Sequence, residues 1–330
     1  MSRLRLVAIA VVAAILISGP GVGAQERLSI ATGGTGGVYY PYGGAMANII
    51  SDGIEEVEVT AEVTAASVDN MLLIESRDAD LAFVLADTAF DAVQGNAPFE
   101  TAVPAVNLAT LYNNFTHVVT TEDAGVETVA DLAGKRVSTG SPGSGTEVIA
   151  NRVLEAAGLN PDEDIEREQL GASESTDAMK DGQIDAYFWS GGLPTAAVTD
   201  LGATPNVNLK LLPNAELVDT LREAYGPFYG VGTIPAETYP NQNEDVEVVI
   251  VPNILVVHEE FDEELAYEIL TVIFEQQPLL AETHPAANEL TLENATQNSP
   301  LSYHPAALRF YEEQGVPVAT PVASPAAGGS

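Results

Sequence analysis

Cysteine is missing from all 330 residues. That excludes disulfides, thiolate nucleophiles, zinc–thiolate centres and an acylated N-terminal cysteine. Basic side chains are scarce, 12 Lys plus Arg against 48 Asp plus Glu, for a formal net charge of −36. So acidic a surface repels nucleic acid and anionic lipid, which excludes a general polyanion-binding role, and the acidity itself reads as solvation with no bearing on substrate. The four histidines, His117, His258, His284 and His304, are far apart and none stands in an H-E-x-x-H helix, so no metal centre is expected. Beyond the N-terminal segment nothing approaches the roughly 18 uninterrupted apolar residues of a membrane helix.

That N-terminal segment is itself informative. Arg3 and Arg5 precede the apolar run Leu6 to Ile17, a Gly19-Pro20 break and the small-residue end Val22-Gly23-Ala24. The pattern predicts a secretory signal peptide over 1–24, with maturation near Gln25 and a mature chain that is exported, periplasmic or extracellular, and soluble. Without a cysteine there, the acylated-cysteine anchor is excluded, which leaves a freely diffusing protein or tethering by another route. At the other end, "VPVATPVASPAAGGS" over 316–330 has no charge and no periodicity and predicts a disordered tail or spacer outside the fold.

Between these ends, 46% apolar content supports a substantial core. The short runs "RLSIAT", "ADLAFVL", "KRVSTG", "IDAYFW", "VNLKLL" and "VEVVIVPNILVV" alternate with helix-like stretches, the pattern of an α/β protein. Glycine collects at junctions between the two. In "IATGGTGGVYYPYGG", from Ile30, a strand leads through four glycines into a helix expected to start at Pro41. In "KRVSTGSPGSGTEVIANRVLEAAGL", from Lys135, the strand passes through a second glycine loop to a helix whose capping box would be Ser144 and Glu147. Ser67 is expected to cap a third helix. Around the only tryptophan, Trp189, a Ser/Gly opening at Ser190-Gly191-Gly192 repeats the theme.

A helix start carries unpaired backbone N–H groups and partial positive charge, so it attracts carboxylate or phosphate without a basic side chain. Hydroxyls of Thr35, Ser141, Ser144 and Thr146 would add donors, and Tyr39, Tyr40 and Tyr42 offer aromatic walls, with the choice among them open. Other chemistry fails on spacing. "GSPGSGT" lacks the P-loop lysine, "GGTGG" is not G-x-G-x-x-G, and neither G-x-S-x-G nor S-x-x-K surrounds the serines. No nucleotide, no cofactor and no catalytic residues are expected.

The stretches "LSIATGGTGGVYYPYGGAMANII", "SVDNMLLIESRDADLAFVLAD", "DLAGKRVSTGSPGSGTEVIANRVLEAAGL", "DAMKDGQIDAYFWSGGLPTAAVTDL", "VPNILVVHEEFDEELAYEI" and "YHPAALRFYEEQG" together resemble the TAXI class of solute-binding receptors. These serve tripartite ATP-independent periplasmic (TRAP) transporters, and the resemblance runs from about Leu28 to Gly315. It implies an α/β, two-lobed type II periplasmic-binding-protein fold with hinge strands and an interlobe cleft. Lobe one would span 26–115 plus 236–315 and lobe two 116–235. The implied function is a non-enzymatic, monomeric receptor that captures a small carboxylate-bearing solute (glutamate, glutamine or a related dicarboxylate or oxoacid) and delivers it to TRAP membrane permease subunits. A secreted sensor or adhesion module, and less so a secreted enzyme, are the alternatives. The implied ligand-facing positions are Gly34, Thr35, Gly36, Gly37, Val38, Tyr39 and Tyr40 in the first loop, and Ser67, Asn70 and Asp87 after it. Ser141, Gly143, Ser144, Gly145 and Thr146 follow in the second loop, and Trp189, Ser190 and Gly191 in the third. Ser190 stands where the family commonly has an apolar residue. An arginine such as Arg77 or Arg136 is a further candidate for the cleft.

Overall fold

The computed structural model describes residues 25–321, so the signal-peptide expectation lies outside the described residues. Ten strands form the framework: β1 Glu26–Ala31, β2 Val57–Glu62, β3 Leu81–Leu85, β4 Ala105–Thr121, β5 Arg136–Ser138, β6 Glu166–Glu168, β7 Ala186–Gly191, β8 Leu209–Leu211, β9 Gly230–Ile234 and β10 Val246–His258. Helices that bear on the site are α1 Tyr39–Gly53, α2 Ser67–Ser76, α3 Ala86–Gln94, α4 Gly145–Ala156 and α5 Ala172–Lys180. All six apolar runs singled out above lie on strands. β3, "LAFVL", is buried along its whole length, as expected for a strand covered by helices on both faces.

The strands follow the order β2-β1-β3-β10-β4-β7-β5-β6, with β8 beside β4 and β9 beside β10. Pairing is parallel within β2-β1-β3 and within β7-β5-β6, and antiparallel wherever β4 or β10 takes part. Strands β4 (17 residues) and β10 (13 residues) are much the longest, and they traverse the molecule side by side. At one end Leu108, Leu111, Leu255 and Val257 join the core of β1–β3, α1 and the helices Glu263–Glu275 and Pro305–Glu313. At the other end Val118, Val249 and Val251 join Val137, Ile149 and Phe188. Two lobes result, with β4 and β10 crossing between them.

The crossing lies where both strands contain poor strand formers. Asn113 and Asn114 in β4 face Pro252 and Val251 in β10, and the register shifts between Asn253 and Ile254. Proline cannot donate to the ladder and is tolerated at such a bulge, where the strand bends. This corrects the expected boundary at 235/236. Tyr239, Val246 and Val248 pack with Val119, Tyr187 and Val198 in the second lobe, so the chain returns to the first only near Pro252.

The tail expectation also needs correction for its described part. Val316 N–H donates to Tyr311 O (2.9 Å), Ala319 N–H donates to Thr296 O (3.0 Å), and Val318 packs on the first lobe's core. Residues 322–330 lie outside the described residues.

A buried ion cluster joins the lobes beside the crossing. Arg152 of α4 contacts Asp87 Oδ2 (3.2 Å) and donates to Tyr229 Oη (2.8 Å), and it also pairs with Asp91 of α3. Tyr229 Oη donates to Asp87 Oδ2 (2.9 Å), and the guanidinium lies 4.4 Å over the Tyr225 ring. Two carboxylates share one cation here, and burial holds the Asp91 carboxyl above its ordinary value, with the neighbouring Arg152 opposing.

On the other side of β4, His117 is fully buried. Its Nδ1 lies 2.8 Å from the Phe115 carbonyl, which only accepts, so this nitrogen carries the proton. Nε2, 2.8 Å from Tyr239 Oη, then accepts, and Tyr239 accepts in turn from Thr195 N–H (3.1 Å). Burial holds the folded-state pKa down at about 4. The unfolded chain takes up a proton as pH falls through about 6.5, whereas the folded chain does so only near 4, so stability is lost as pH falls across that window. In urea unfolding, the wild type should lose about 2 kcal/mol more than His117→Gln between pH 7 and pH 4.5. Equal losses in the two proteins would show that His117 does not carry this dependence.

Candidate functional site

Four helix starts converge on one cavity of about 270 Å³ between the lobes. Lobe one contributes the loop Gly33 to Gly37 with Val38 and Tyr39 at the start of α1. It also supplies Thr64, Ala65, Ala66 and Ser67 at the start of α2, and Leu85 at the end of β3. Lobe two contributes Gly140, Ser141, Ser144, Gly145 and Thr146 at α4. Leu170 to Glu174 follow at α5, with Trp189, Ser190 and Gly191 at the end of β7.

Each start is shaped by its sequence. α1 begins at Tyr39, two residues before the expected Pro41; proline still falls in the first turn, where its missing N–H costs nothing. α2 has Ala66 as its cap residue at φ 85°, and Ser67 is already helical. The Ser67 hydroxyl does not cap; it accepts from Leu85 N–H (3.1 Å) and so fixes α2 to β3. At α4 the cap is as expected, with Ser144 Oγ accepting from Glu147 N–H (3.0 Å). The reciprocal bond shifts by one residue: Glu147 Oε2 accepts from Gly143 N–H (2.9 Å), and its other oxygen takes Arg167 (2.8 Å). α5 starts after Gly171 without a side-chain cap.

The lobes touch across the cavity. Asp69 N–H of α2 donates to Gly143 O (3.1 Å), and His284 Nε2 lies 3.2 Å from Pro194 O. Bare backbone makes the closest approaches possible. A Cβ on Gly37 would lie 2.6 Å from the Trp189 ring, and one on Gly36 would lie 2.1 Å from Ser173 Oγ. Trp189 cannot easily yield, because its Nε1 donates to Thr195 Oγ1 (2.9 Å). The two lobes are in direct contact in this conformation.

Electrostatically the cavity is unusual in what lines it. Neither lysine nor arginine does so among the described residues, and Glu174, exposed at the start of α5, is the one ionisable acid. Arg77 pairs with Glu260 and Arg136 with Asp185, both away from the cavity. Positive potential therefore comes from helix starts, each worth about 0.3–1 kcal/mol to an anion and more where partly buried. Deeper in, burial pushes the Tyr39 hydroxyl well above its ordinary value, opposed by Ser67, Asn114 and Asn253, which face it. None of the three makes a well-aligned hydrogen bond with it.

Of the positions expected from sequence, Gly34, Thr35, Gly36, Gly37, Val38, Tyr39, Ser67, Ser141, Ser144, Gly145, Thr146, Trp189, Ser190 and Gly191 all line the cavity. The other four do not. Tyr40 points to solvent at 38% exposure, while Tyr42 packs on Phe83 and Tyr112, so Tyr39 is the tyrosine of the cavity wall. Asn70 is consumed by the fold: Nδ2 donates to Thr32 O and Phe83 O (both 2.8 Å), and Oδ1 accepts from Thr64 Oγ1 (2.6 Å). Asp87 belongs to the Arg152 cluster. Gly143, at φ 78°, is spent on the contacts to Asp69 and Glu147. Sequence reading missed Thr64 to Ala66 and Leu170 to Glu174. "GASES", from Gly171, carries the same glycine-to-helix signal as the loops that were found; "TAAS", from Thr64, has no glycine to mark it.

A model of the NMT1-like family matches residues 30–315. Among solved structures, a protein of Bordetella bronchiseptica RB50 aligns with TM-score 0.51 at 17% identity, over 88% of this chain and 89% of its own. PhnD1 from Prochlorococcus marinus, in complex with methylphosphonate, aligns with TM-score 0.51 at 12% identity, over 80% and 90%. The alkanesulfonate-binding protein SsuA from Xanthomonas axonopodis pv. citri, bound to MOPS, gives 0.48 at 15%, over 87% and 90%. At these identities the likeness bears on architecture, which is the α/β type II periplasmic-binding-protein fold.

The Gly37–Trp189 contact has a direct consequence. Gly37→Ala should block full closure and weaken solute binding about tenfold or more, with the change read from the emission of Trp189, the sole tryptophan. Gly44→Ala on α1, where a methyl meets nothing within 4 Å, should leave affinity unchanged. Native affinity in Gly37→Ala would remove the closure contact from the binding mechanism. Ser144→Ala should lower stability by roughly 1 kcal/mol through loss of the cap, measured by thermal unfolding.

Proposed function

The chain belongs to the NMT1-like family, and from that membership and the geometry of the cleft we propose that it is an extracytoplasmic solute-binding receptor for a small carboxylate-bearing solute. The observation that carries this reading is the convergence of four helix starts on a cavity without a lining lysine or arginine. Backbone N–H groups at α1 and α2 from one lobe, and at α4 and α5 from the other, point to an anion held between the lobes. Hydroxyls of Thr35, Ser141, Thr146 and Ser173 line the same space and supply further donors.

The cavity volume supports a small solute. At about 30 Å³ per water in the liquid, 270 Å³ corresponds to roughly nine waters, the scale of an amino acid or a short organic acid. Such a solute would bridge the lobes and stabilise the closed form, shifting the hinge equilibrium by its differential affinity for the two forms. The closed face is then what a membrane permease would read. The resemblance to TAXI receptors from Leu28 to Gly315 favours a permease of the TRAP type, and glutamate, glutamine and related acids as the first solutes to try.

A thermal-shift screen of amino acids, oxoacids, dicarboxylates and neutral sugars tests the reading, since a ligand of the folded state raises its melting temperature. Small carboxylates should stabilise the protein, by roughly 2.7 kcal/mol at a hundred times the dissociation constant, and neutral sugars should not. A screen in which sugars stabilise and no carboxylate does would overturn it.

A further inference from the structure

Among the polar side-chain atoms at the strand crossing that have no partner within the described protein are Tyr39 Oη, Ser190 Oγ, Asn114 Nδ2, Asn253 Oδ1 and Thr116 Oγ1, with Tyr112 Oη, opposite Asn253, beside them. Each residue is more than nine-tenths buried, with Tyr39 the most exposed at 8%. Buried polar groups are nearly always paired, so orphans gathered in one place point to a binding partner from outside the chain.

Their positions follow from the sheet. Leu85 on β3 and Ser190 on β7 both line the cavity, and β10 and β4 run between them. Asn253 lies opposite Leu85, and Thr116 lies opposite Ser190. Asn114 is two residues before Thr116, on the same face of β4. Tyr39, the first residue of α1, lines the same cavity. The orphaned atoms thus form a row, with Tyr39 and Ser190 lining the cavity and Asn114, Asn253 and Thr116 buried in the sheet behind them.

The row has a defined hydrogen-bonding character. Asn253 Nδ2 donates to Asn114 Oδ1 (2.9 Å), which leaves one amide NH2, with its two N–H donors, and one carbonyl acceptor unpaired. Exchanging both amide orientations gives the same tally. The three hydroxyls can each donate or accept. No basic side chain faces the row, and Asp87, the charge that acts on the Tyr39 hydroxyl, is negative and committed to Arg152. A second carboxylate placed here would meet a carbonyl and a nearby anion, and an ammonium would find no free carboxylate.

We propose that this row is a neutral hydrogen-bonding subsite. The solute is then a small carboxylate whose far end carries an uncharged group able both to donate and to accept, a hydroxyl or a carboxamide, in place of a second carboxylate. The proposal rests on the reading of the cleft as a carboxylate receptor and narrows its substrate class.

Matched pairs that differ only at the far end test it: glutamine against glutamate, and 4-hydroxybutyrate against succinate. Each is titrated calorimetrically into the wild type, Tyr39→Phe and Ser190→Ala. In at least one pair the neutral-ended member should bind about tenfold tighter, and each substitution should cut that ratio several-fold. Both substitutions remove only a hydroxyl without a protein partner, so the melting temperature of the unliganded protein should not fall, which verifies folding. Equal or tighter binding of the dicarboxylate in both pairs overturns the subsite and leaves the receptor reading standing. So does an unchanged ratio in both variants, or a carboxylate from the wider screen that binds while all four test compounds fail. Failure of every carboxylate removes the receptor reading and the subsite together.

Discussion

The pairing of β4 with β10 is the constraint on which the rest of the molecule depends. These are the strands that belong to both lobes, and each lobe's core closes on a different end of them. A ladder of good strand formers would make the crossing rigid and apolar. Here Asn113, Asn114, Pro252 and Asn253 interrupt it at one level, and the register slips. One local weakness in strand propensity therefore bends the ladder where the lobes meet and gathers polar side chains there.

The proposed holding of an anion without a cation follows from how the lobes are built. Each repeats a strand followed by a helix whose start faces the other lobe, so closing the cleft brings fixed dipoles together from both sides. A hydrogen bond to a charged group contributes about 1.5–3 kcal/mol, so several of them together work against the ordering cost of binding. Backbone donors are also already in place, and no long side chain has to be ordered when solute arrives. The arginines of the described chain are spent elsewhere, Arg152 most completely, in tying α3 to α4 beside the crossing.

Legibility in the sequence followed local signal strength. The apolar runs and the glycine loops are contiguous, and they delivered the α/β class, six of the ten strands of the described residues and most of the cavity wall. β4 was not read as a strand, because its Asn113-Asn114 pair resembles a turn until β10 is laid beside it. Likewise the second lobe boundary was placed about sixteen residues early, since nothing in "PAETYPNQNEDVEVVIV" announces that Tyr239 and Val248 pack on Val119. Asn70 and Asp87 show the opposite failure. Both are polar residues beside binding loops, and only the fold reveals that their hydrogen-bonding capacity is exhausted by Thr32, Phe83, Arg152 and Tyr229.

The acidic exterior acquires a kinetic meaning beside this cleft. With a formal charge of −36 overall and Glu174 at the cavity, an approaching anion meets repulsion before it reaches the attractive helix starts. Mobile ions shorten the reach of that repulsion from about 10 Å at 0.1 M to about 3 Å at 1 M, while the contacts inside the closed cleft are screened far less. For an anionic solute of the kind proposed, capture would accordingly speed up as ionic strength rises, the reverse of the usual electrostatic steering, and a brine would favour its on-rate over fresh water.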